Sequence, residues 1–200
     1  FEILVYDDCS ELDTNKINKK INTLNNCTFK VLPKNIGRSA IRNLLSKNAK
    51  FNNLLFVDAG TFPSKNTFVK KYLGNLIDSD VIVGGMSSAE ESPIKTYRLR
   101  WIYTKKRESK KGLHSCNFLI KKEILVSNPF DESLNGYGYE DVLFFEKLKS
   151  RKIEIKKIDN TVIHTPDDDA AKFIKKNENA IKNLIYIIDT KKLKYDVVGI

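Results

Sequence analysis

The chain is poor in cysteine and histidine, and it has no long apolar run. Its three cysteines in 200 residues, Cys9, Cys27 and Cys116, are odd in number, far apart and form no Cys-x-x-Cys pair. That argues against a disulfide or zinc framework and for a reducing compartment. No stretch approaches the ~20 apolar residues of a membrane-spanning helix. The chain opens directly in a strand-like run, Phe1 to Tyr6, so no signal peptide is expected. It has no initiator Met, which leads us to expect further residues in front. Three standard signatures are absent too: Gly-x-x-x-x-Gly-Lys-Ser/Thr, Gly-x-Gly-x-x-Gly and the nucleophile elbow. There is no internal repeat and no low-complexity linker. With 200 residues, a single domain with one sizeable core is expected.

What the sequence does have is positive charge, +10 overall, on an ordinary hydrophobic content of 41%. A basic surface attracts anions: nucleotide phosphates, an acidic membrane surface or nucleic acid. The lysines are spread along the whole chain, which equally describes a solvated surface. The densest group, Lys105-Lys106-Arg107-Glu108-Ser109-Lys110-Lys111, reads as an exposed loop within reach of phosphate.

Hydrophobic periodicity orders the first half as strands alternating with helices. Strands are expected at Glu2 to Tyr6, Thr28 to Leu32, Leu54 to Val57 and Asp80 to Val83. Helices are expected from Thr14, with Ile17, Ile21 and Leu24 on one face, from Ser39 to Lys47, with Ile41, Leu44 and Leu45 inward, and around Phe68, Tyr72, Leu73 and Leu76. Such alternation predicts a mostly parallel, helix-covered sheet, with ligands at the carboxyl ends of its strands. Asp7, Asp8 and Asp58 occupy such ends and should converge. In the second half, Tyr97 to Tyr103 reads as helical and Cys116 to Ile120 as a strand. A period-two run, Ile153 to Ile158, and Thr161 to Ile163 follow. Asp167 to Asp169 cap a long helix whose apolar residues are Phe173, Ile174, Ile181, Leu184, Ile185 and Ile188.

The stretch that organises the rest is Asn135-Gly136-Tyr137-Gly138-Tyr139-Glu140-Asp141, followed by the apolar run Val142-Leu143-Phe144-Phe145. It reads as a flexible loop feeding a helix that opens on two carboxylates, where the helix dipole favours them. The same residues serve equally as an acidic cap behind a Gly-rich turn. Asp7 and Asp8 suit hydrogen bonds from a base and a ribose, or a simple turn. Asn35-Ile36-Gly37-Arg38 with Arg42-Asn43 sets two arginines one turn apart at a helix start, a pattern that favours phosphate or caps a surface helix. Asp58 suits a cation or a ribose. His164, after a late strand, becomes a ligand candidate only beside Asp58.

The order of these pieces resembles a family 2 glycosyltransferase of the GT-A type. Glu2-Ile3-Leu4-Val5-Tyr6-Asp7-Asp8-Cys9-Ser10 is similar to that family's "EIIVVDDGS" strand. Asn35-Ile36-Gly37 through Arg42-Asn43 resembles its "N-x-G-x-x-x-A-R-N" segment, and Leu55-Phe56-Val57-Asp58-Ala59-Gly60 stands where it carries Asp-x-Asp. Asn117-Phe118-Leu119-Ile120, Phe130-Asp131-Glu132 and Gly136-Tyr137-Gly138-Tyr139-Glu140-Asp141 resemble the acceptor half, also found in galactosyltransferase-type enzymes.

The resemblance implies a Rossmann-like α/β GT-A fold with a mostly parallel central sheet covered by helices. Residues 1–85 would be its nucleotide-binding half and 86–200 its acceptor-binding half. The family's opening strand and helix do not appear in this chain. The implied activity is inverting transfer of a hexosyl group, as in polysaccharide biosynthesis. The donor would be a UDP- or GDP-sugar and the acceptor a glycan or lipid-linked hydroxyl. Asp141 is then the general base. Asp7, Asp8, Asn35, Arg38, Arg42 and Asp58 bind nucleotide, and Glu140, Trp101, Asn117, Tyr137 and Gly138 bind acceptor. The resemblance also implies a divalent metal, Mn2+ or Mg2+. Gly60 replaces the family's last aspartate, which leaves Asp58 and His164 as candidate ligands. A cytoplasmic protein, peripheral to a membrane's inner face and without nucleic-acid partners, is expected. The alternative is a catalytically silent relative that binds a sugar nucleotide or a partner.

Overall fold

The computed structural model describes residues 1–10, 12–109, 112–134 and 136–190. Asn135, at the head of the Gly-Tyr loop, and Lys110 and Lys111 of the basic cluster lie outside them. The chain begins with β1 (Ile3–Asp7), α1 (Leu12–Asn18), a 3-10 turn (Lys19–Thr23) and β2 (Cys27–Val31). Strands β1 and β2 pair in parallel, Ile3 opposite Cys27 through Asp7 opposite Val31. Then come α2 (Gly37–Asn48), β3 (Asn53–Val57), β4 (Thr61–Pro63), α3 (Phe68–Asn75), β5 (Val81–Val83) and β6 (Met86–Ser88). A 3-10 turn leads into α4 (Arg98–Tyr103), which widens into a π turn (Thr104–Glu108). The remainder is β7 (Asn117–Lys121), α5 (Lys122–Ser127), α6 (Glu140–Ser150), β8 (Lys156–Lys157), β9 (Val162–His164) and α7 (Ala170–Asp189).

The α/β class and the helix-covered sheet stand, but the strand pairing is mixed rather than mostly parallel. The central sheet runs β3-β7-β5-β8. Strand β7 enters antiparallel to both β3 and β5, and only β5 and β8 are parallel within it. Asn117, Phe118, Leu119 and Ile120 are all buried, so this run needs cover on both faces and takes the middle of the sheet. A third sheet, β4-β9-β6, sets Thr61 opposite His164.

Phe118 anchors an aromatic cluster. Phe56 stacks on it at 4.9 Å, and Phe145, Phe144 and Phe130 surround it at 5.8, 6.1 and 6.3 Å. Phe130 in turn stacks on Phe144 at 3.9 Å. Each fully buried ring contributes about 1.5–3 kcal/mol by leaving water. Because Phe144, Phe145 and Leu148 all point into this cluster, α6 is fixed in rotation. That fixes where its first residues, Glu140 and Asp141, must project.

Several amphipathic expectations fail. Ile17 and Leu24 are 69% and 59% exposed, so the first helix does not bury that face. The most buried side chains of α2 are polar, Ser39, Arg42, Asn43 and Ser46, while Ile41, Leu44 and Leu45 are half-buried. On α7, Ile174, Ile181 and Ile185 are exposed, and the buried face is Phe173, Ala180, Asn183, Leu184 and Ile187. Tertiary packing has chosen a face that includes Ala180 and Asn183 because the Gly-Tyr loop lies there. The run Ile153 to Ile158 pairs only at Lys156–Lys157, although Ile153 and Ile155 do pack on the core. Among the capping aspartates, Asp169 is the one that accepts the Lys172 N–H, at 2.8 Å.

Candidate functional site

Three elements bring charge to one place. Helix α2 carries Arg38 and Arg42 on one face, four residues apart as helical spacing requires. The end of β3 delivers Asp58, whose N–H donates to the Cys116 carbonyl at 2.9 Å. The start of α6 delivers Glu140 and Asp141. Arg42 Nη2 donates to both Asp58 oxygens, at 2.9 and 3.2 Å, and its Nη1 lies 3.5 Å from Glu140 Oε1. Arg38 Nη1 spans the same two acids at longer range, 4.0 Å from Asp58 and 3.7 Å from Glu140. The Arg42 and Glu140 side chains are 6% and 7% exposed, whereas Arg38 is 46% exposed. One arginine is therefore a fixed buried clamp and the other a group at the mouth of the site. Burial works against the Arg42 charge, but Asp58 and Glu140 overcome it and hold the guanidinium proton more tightly than usual.

Asp141 is the third acid. Val142 N–H donates to its Oδ1 at 2.9 Å, and its Oδ2 lies 3.9 Å from His114 Nδ1. Burial, and then the neighbouring Glu140 charge, push its affinity for a proton above the ordinary carboxylate value. These outweigh the favourable helix N-terminus. The residue before this pair is under strain: Tyr139 sits at φ +67°, a left-handed conformation that costs a side-chain-bearing residue roughly 1–2 kcal/mol. The loop is held there from outside. Asn183 Nδ2 on α7 donates to the Gly138 and Tyr137 carbonyls at 3.1 and 3.4 Å. Gly138 approaches Ala180 so closely that a Cβ would fall 2.5 Å from Ala180 Cβ.

Other expected residues take different places. Asp8 closes the N-terminus of α2: its two oxygens accept from Ile36 and Gly37 N–H at 2.7 and 2.9 Å. The anion position at that helix start is thus filled by the chain's own carboxylate. Asn35 Oδ1 accepts from the same Gly37 N–H, and Asp7 accepts from Ser10 N–H. Tyr137 lies under Arg38, 4.8 Å from guanidinium to ring centre. Trp101 donates its ring N–H to the Ala89 carbonyl at 2.8 Å and is covered by Lys105. Asn117, expected at the acceptor, is instead an internal node. It is fully buried, takes the Tyr72 hydroxyl at 2.6 Å, and donates to the Asn160 and Gly85 carbonyls. No amide atom is left for a ligand.

His164 lies beside the Asp58-Ala59-Gly60 turn, since Thr165 N–H donates to the Gly60 carbonyl at 3.1 Å. Its Nε2 faces Arg100 Nη2 at 3.4 Å. Arg100 only donates, so the neutral ring accepts at Nε2 and carries its proton on Nδ1, which is buried without a hydrogen-bond partner. Burial first, then the Arg100 charge, hold His164 below its usual proton affinity. Arg100 is itself fixed by Glu108 at 2.6 Å and Thr104 at 2.7 Å, and it lies against the Phe173 and Tyr103 rings. Among the described residues, no three His, Cys, Asp or Glu side chains group to hold a metal.

Sequence reasoning gave no site role to His114, Arg100, Glu108, Asn43 or Asn183. One signal was available: Arg100 is a charge inside the apolar run Leu99 to Tyr103, and such a charge needs a buried partner. His114 also lines a cleft of about 210 Å³ with Gly84, Gly85, Met86, Glu108 and Thr161. No helix among the described residues is long and apolar enough to cross a membrane.

No protein-family model and no curated protein matches the sequence. Solved structures match in fold. S. aureus TarS is 23% identical, with a TM-score of 0.59 over 82% of this chain and 51% of that one. A TarS complex with UDP also aligns. The mannosyltransferase PcManGT from Pyrobaculum calidifontis, in complex with GDP-Man and Mn2+, is 15% identical, with a TM-score of 0.64 over 94% of this chain and 55% of that one. GalNAc-T7 with UDP, GalNAc and Mn2+ is 18% identical, with a TM-score of 0.59 over 82% of this chain and 37% of that one. The fold is that of GT-A glycosyltransferases. The chain spans about half of TarS 1–349, 51%, and 31% of the longer TarS chain.

Proposed function

We propose that the protein is an inverting glycosyltransferase of the family 2 kind. It moves a hexosyl group from a UDP- or GDP-sugar to a hydroxyl of a glycan or lipid-linked acceptor, with Asp141 as general base. One observation carries the reading. A carboxylate of raised proton affinity stands next to a two-arginine, two-acid cluster. A base must reclaim a proton and a departing diphosphate must meet positive charge, and these two needs are met side by side. Residues 1–85 form the nucleotide half and 86–200 the acceptor half. In the reaction, the acceptor oxygen attacks the anomeric carbon from the face opposite the nucleotide. Its proton passes to an Asp141 oxygen, and the bond from carbon to diphosphate oxygen breaks with its electrons on the diphosphate. Arg38 is the cation exposed to that leaving group. Asp7 lies at the nucleoside end, while Asp8 sets the start of α2 and so the reach of Arg38. Trp101 meets a sugar ring once Lys105, which covers it, swings aside, and Tyr137 lines the acceptor side beneath Arg38.

A second reading has its own support. Both Asp58 oxygens are occupied by Arg42, as suits a silent relative that only binds sugar nucleotides. Turnover of UDP- and GDP-sugars, with and without candidate acceptors, separates the two. Asp141→Asn is expected to lower turnover at least about a hundredfold, within the range for losing a general base. Equal turnover in the two proteins removes Asp141 from the mechanism. Nucleotide binding with no turnover in either protein leaves the silent relative.

A further inference from the structure

GT-A neighbours in complex with Mn2+ raise the question of a divalent cation at the Asp58-Ala59-Gly60 turn. The donor atoms present do not fit one. Gly60 brings no side chain, and a Cβ built there meets nothing within 4 Å, so no other group fills that place. Asp58 has both oxygens on Arg42 Nη2. His164 turns its one lone-pair nitrogen toward Arg100. Arg100 is only 5% exposed, and its guanidinium is held by Glu108, Thr104 and two rings. A dication at His164 Nε2 would sit against a fixed positive charge in a poorly hydrated place, where such repulsion is least screened. Each candidate ligand has a cation or an empty position where a metal would need a donor.

We infer that this chain binds a nucleoside diphosphate without a divalent metal, and that Arg38 supplies the countercharge. The inference rests on the glycosyltransferase reading and refines it. Arg38 suits the role because its ion pairs are long and it is half exposed, so little is lost when it turns away. A guanidinium also offers a planar fork of donors that fits phosphate oxygens bidentately. Arg42 stays on Asp58 and Glu140 and keeps those acids from repelling the ligand. Arg38 starts 4.8 Å above the Tyr137 ring, a support that keeps its plane oriented while its partners change.

The test is calorimetric titration of UDP and GDP into the intact protein, once in EDTA and once in Mn2+. The expected result is that one nucleotide binds with an affinity that differs by less than about threefold, some 0.7 kcal/mol, between the two media. Arg38→Gln should weaken that binding at least about tenfold in both media, roughly 1.4 kcal/mol. Arg38→Lys should recover part of it, and melting curves should show all three proteins folded. Binding that appears only with Mn2+, or a stoichiometric protein-bound Mn2+ resonance in the nucleotide complex, overturns the inference and leaves the glycosyltransferase reading intact. An Arg38→Gln protein that binds as wild type overturns the role of Arg38. No binding of either nucleotide in either medium defeats the glycosyltransferase reading and this inference together.

Discussion

A single guanidinium nitrogen of Arg42 reaches both carboxylate oxygens of Asp58, at 2.9 and 3.2 Å, while its other terminal nitrogen faces Glu140 at 3.5 Å. Helix α2, strand β3 and helix α6 are joined by this one side chain. Removing one member of a buried ion cluster leaves the others charged and unpaired, which is worse than never having built it. Arg42→Met should therefore destabilise by about 3 kcal/mol, the low end for a buried pair because Asp58 is partly solvated. Arg42→Met combined with Glu140→Gln should recover a measurable part. Urea unfolding of the two variants checks both statements, and a double variant no more stable than the single one refutes the coupling.

Two glycines should lose stability by different amounts when a methyl is added, each for its own reason. A Cβ on Gly84 would lie 2.4 Å from the Asn160 carbonyl oxygen, 2.4 Å from the Tyr72 hydroxyl and 2.5 Å from the Asn117 amide nitrogen. Two of these are side chains locked in a saturated network and one is backbone, so none can yield cheaply. Gly84→Ala should cost about 3 kcal/mol, the upper end for overpacking. Gly60 has open space but φ +77°, so Gly60→Ala should cost only the left-handed penalty, about 1 kcal/mol. Thermal melts of the two variants give the order directly.

The site was legible in part, and the division has a physical cause. Arg38 and Arg42 share a face by helical spacing, and Asp58 and Asp141 stand where a strand ends and a helix begins. Those are local facts. What joins them is not. Asn43 holds the Phe130 backbone at both N–H and carbonyl, each 3.0 Å, across 87 residues, and no periodicity announces such a bond. Nor does it announce that β7 inserts antiparallel between β3 and β5, since the strand's apolar run has no direction of its own. Asn117 reads as a ligand-facing residue at a strand start, yet its amide is consumed by Tyr72, Asn160 and Gly85. His114 escaped notice because its partner is Asp141, 27 positions away.

Asn183 should act as a positioning residue. It is 8% exposed and binds two carbonyls of the loop that precedes the strained Tyr139. Asn183→Ala removes both bonds, for about 1–2 kcal/mol of stability. If the proposed function holds, looser placement of Asp141 lowers kcat by roughly tenfold, since small misplacements of a reacting group cost rate steeply. KM for the donor should rise less than kcat falls, because Arg42 stays on Asp58 and Arg38 meets the loop only through the Tyr137 ring and Glu140. A variant with unchanged kcat and a raised KM assigns Asn183 to binding instead.

Asp141 is expected to trade stability for reactivity, and pH reveals the trade. Its folded proton affinity lies above the unfolded value, because burial and the adjacent Glu140 disfavour its charge. At low pH the group is protonated in both states and contributes nothing. As pH rises past the ordinary carboxylate value, about 3.9, the unfolded chain releases its proton first, so the folded state loses stability until it too ionises. The penalty is complete once the folded group has ionised as well. Asp141→Asn keeps the shape and removes the charge, so it should melt higher than wild type at pH 7. The difference should shrink toward zero as pH falls below the ordinary carboxylate value. In the proposed reaction the same shift appears as an acid limb: kcat should fall with decreasing pH at a midpoint above that of a free aspartate, and this limb should vanish in the residual activity of Asp141→Asn. A variant that melts lower than wild type at neutral pH shows that the His114 contact and the Val142 hydrogen bond outweigh burial, and a carboxylate so stabilised would be a poor base.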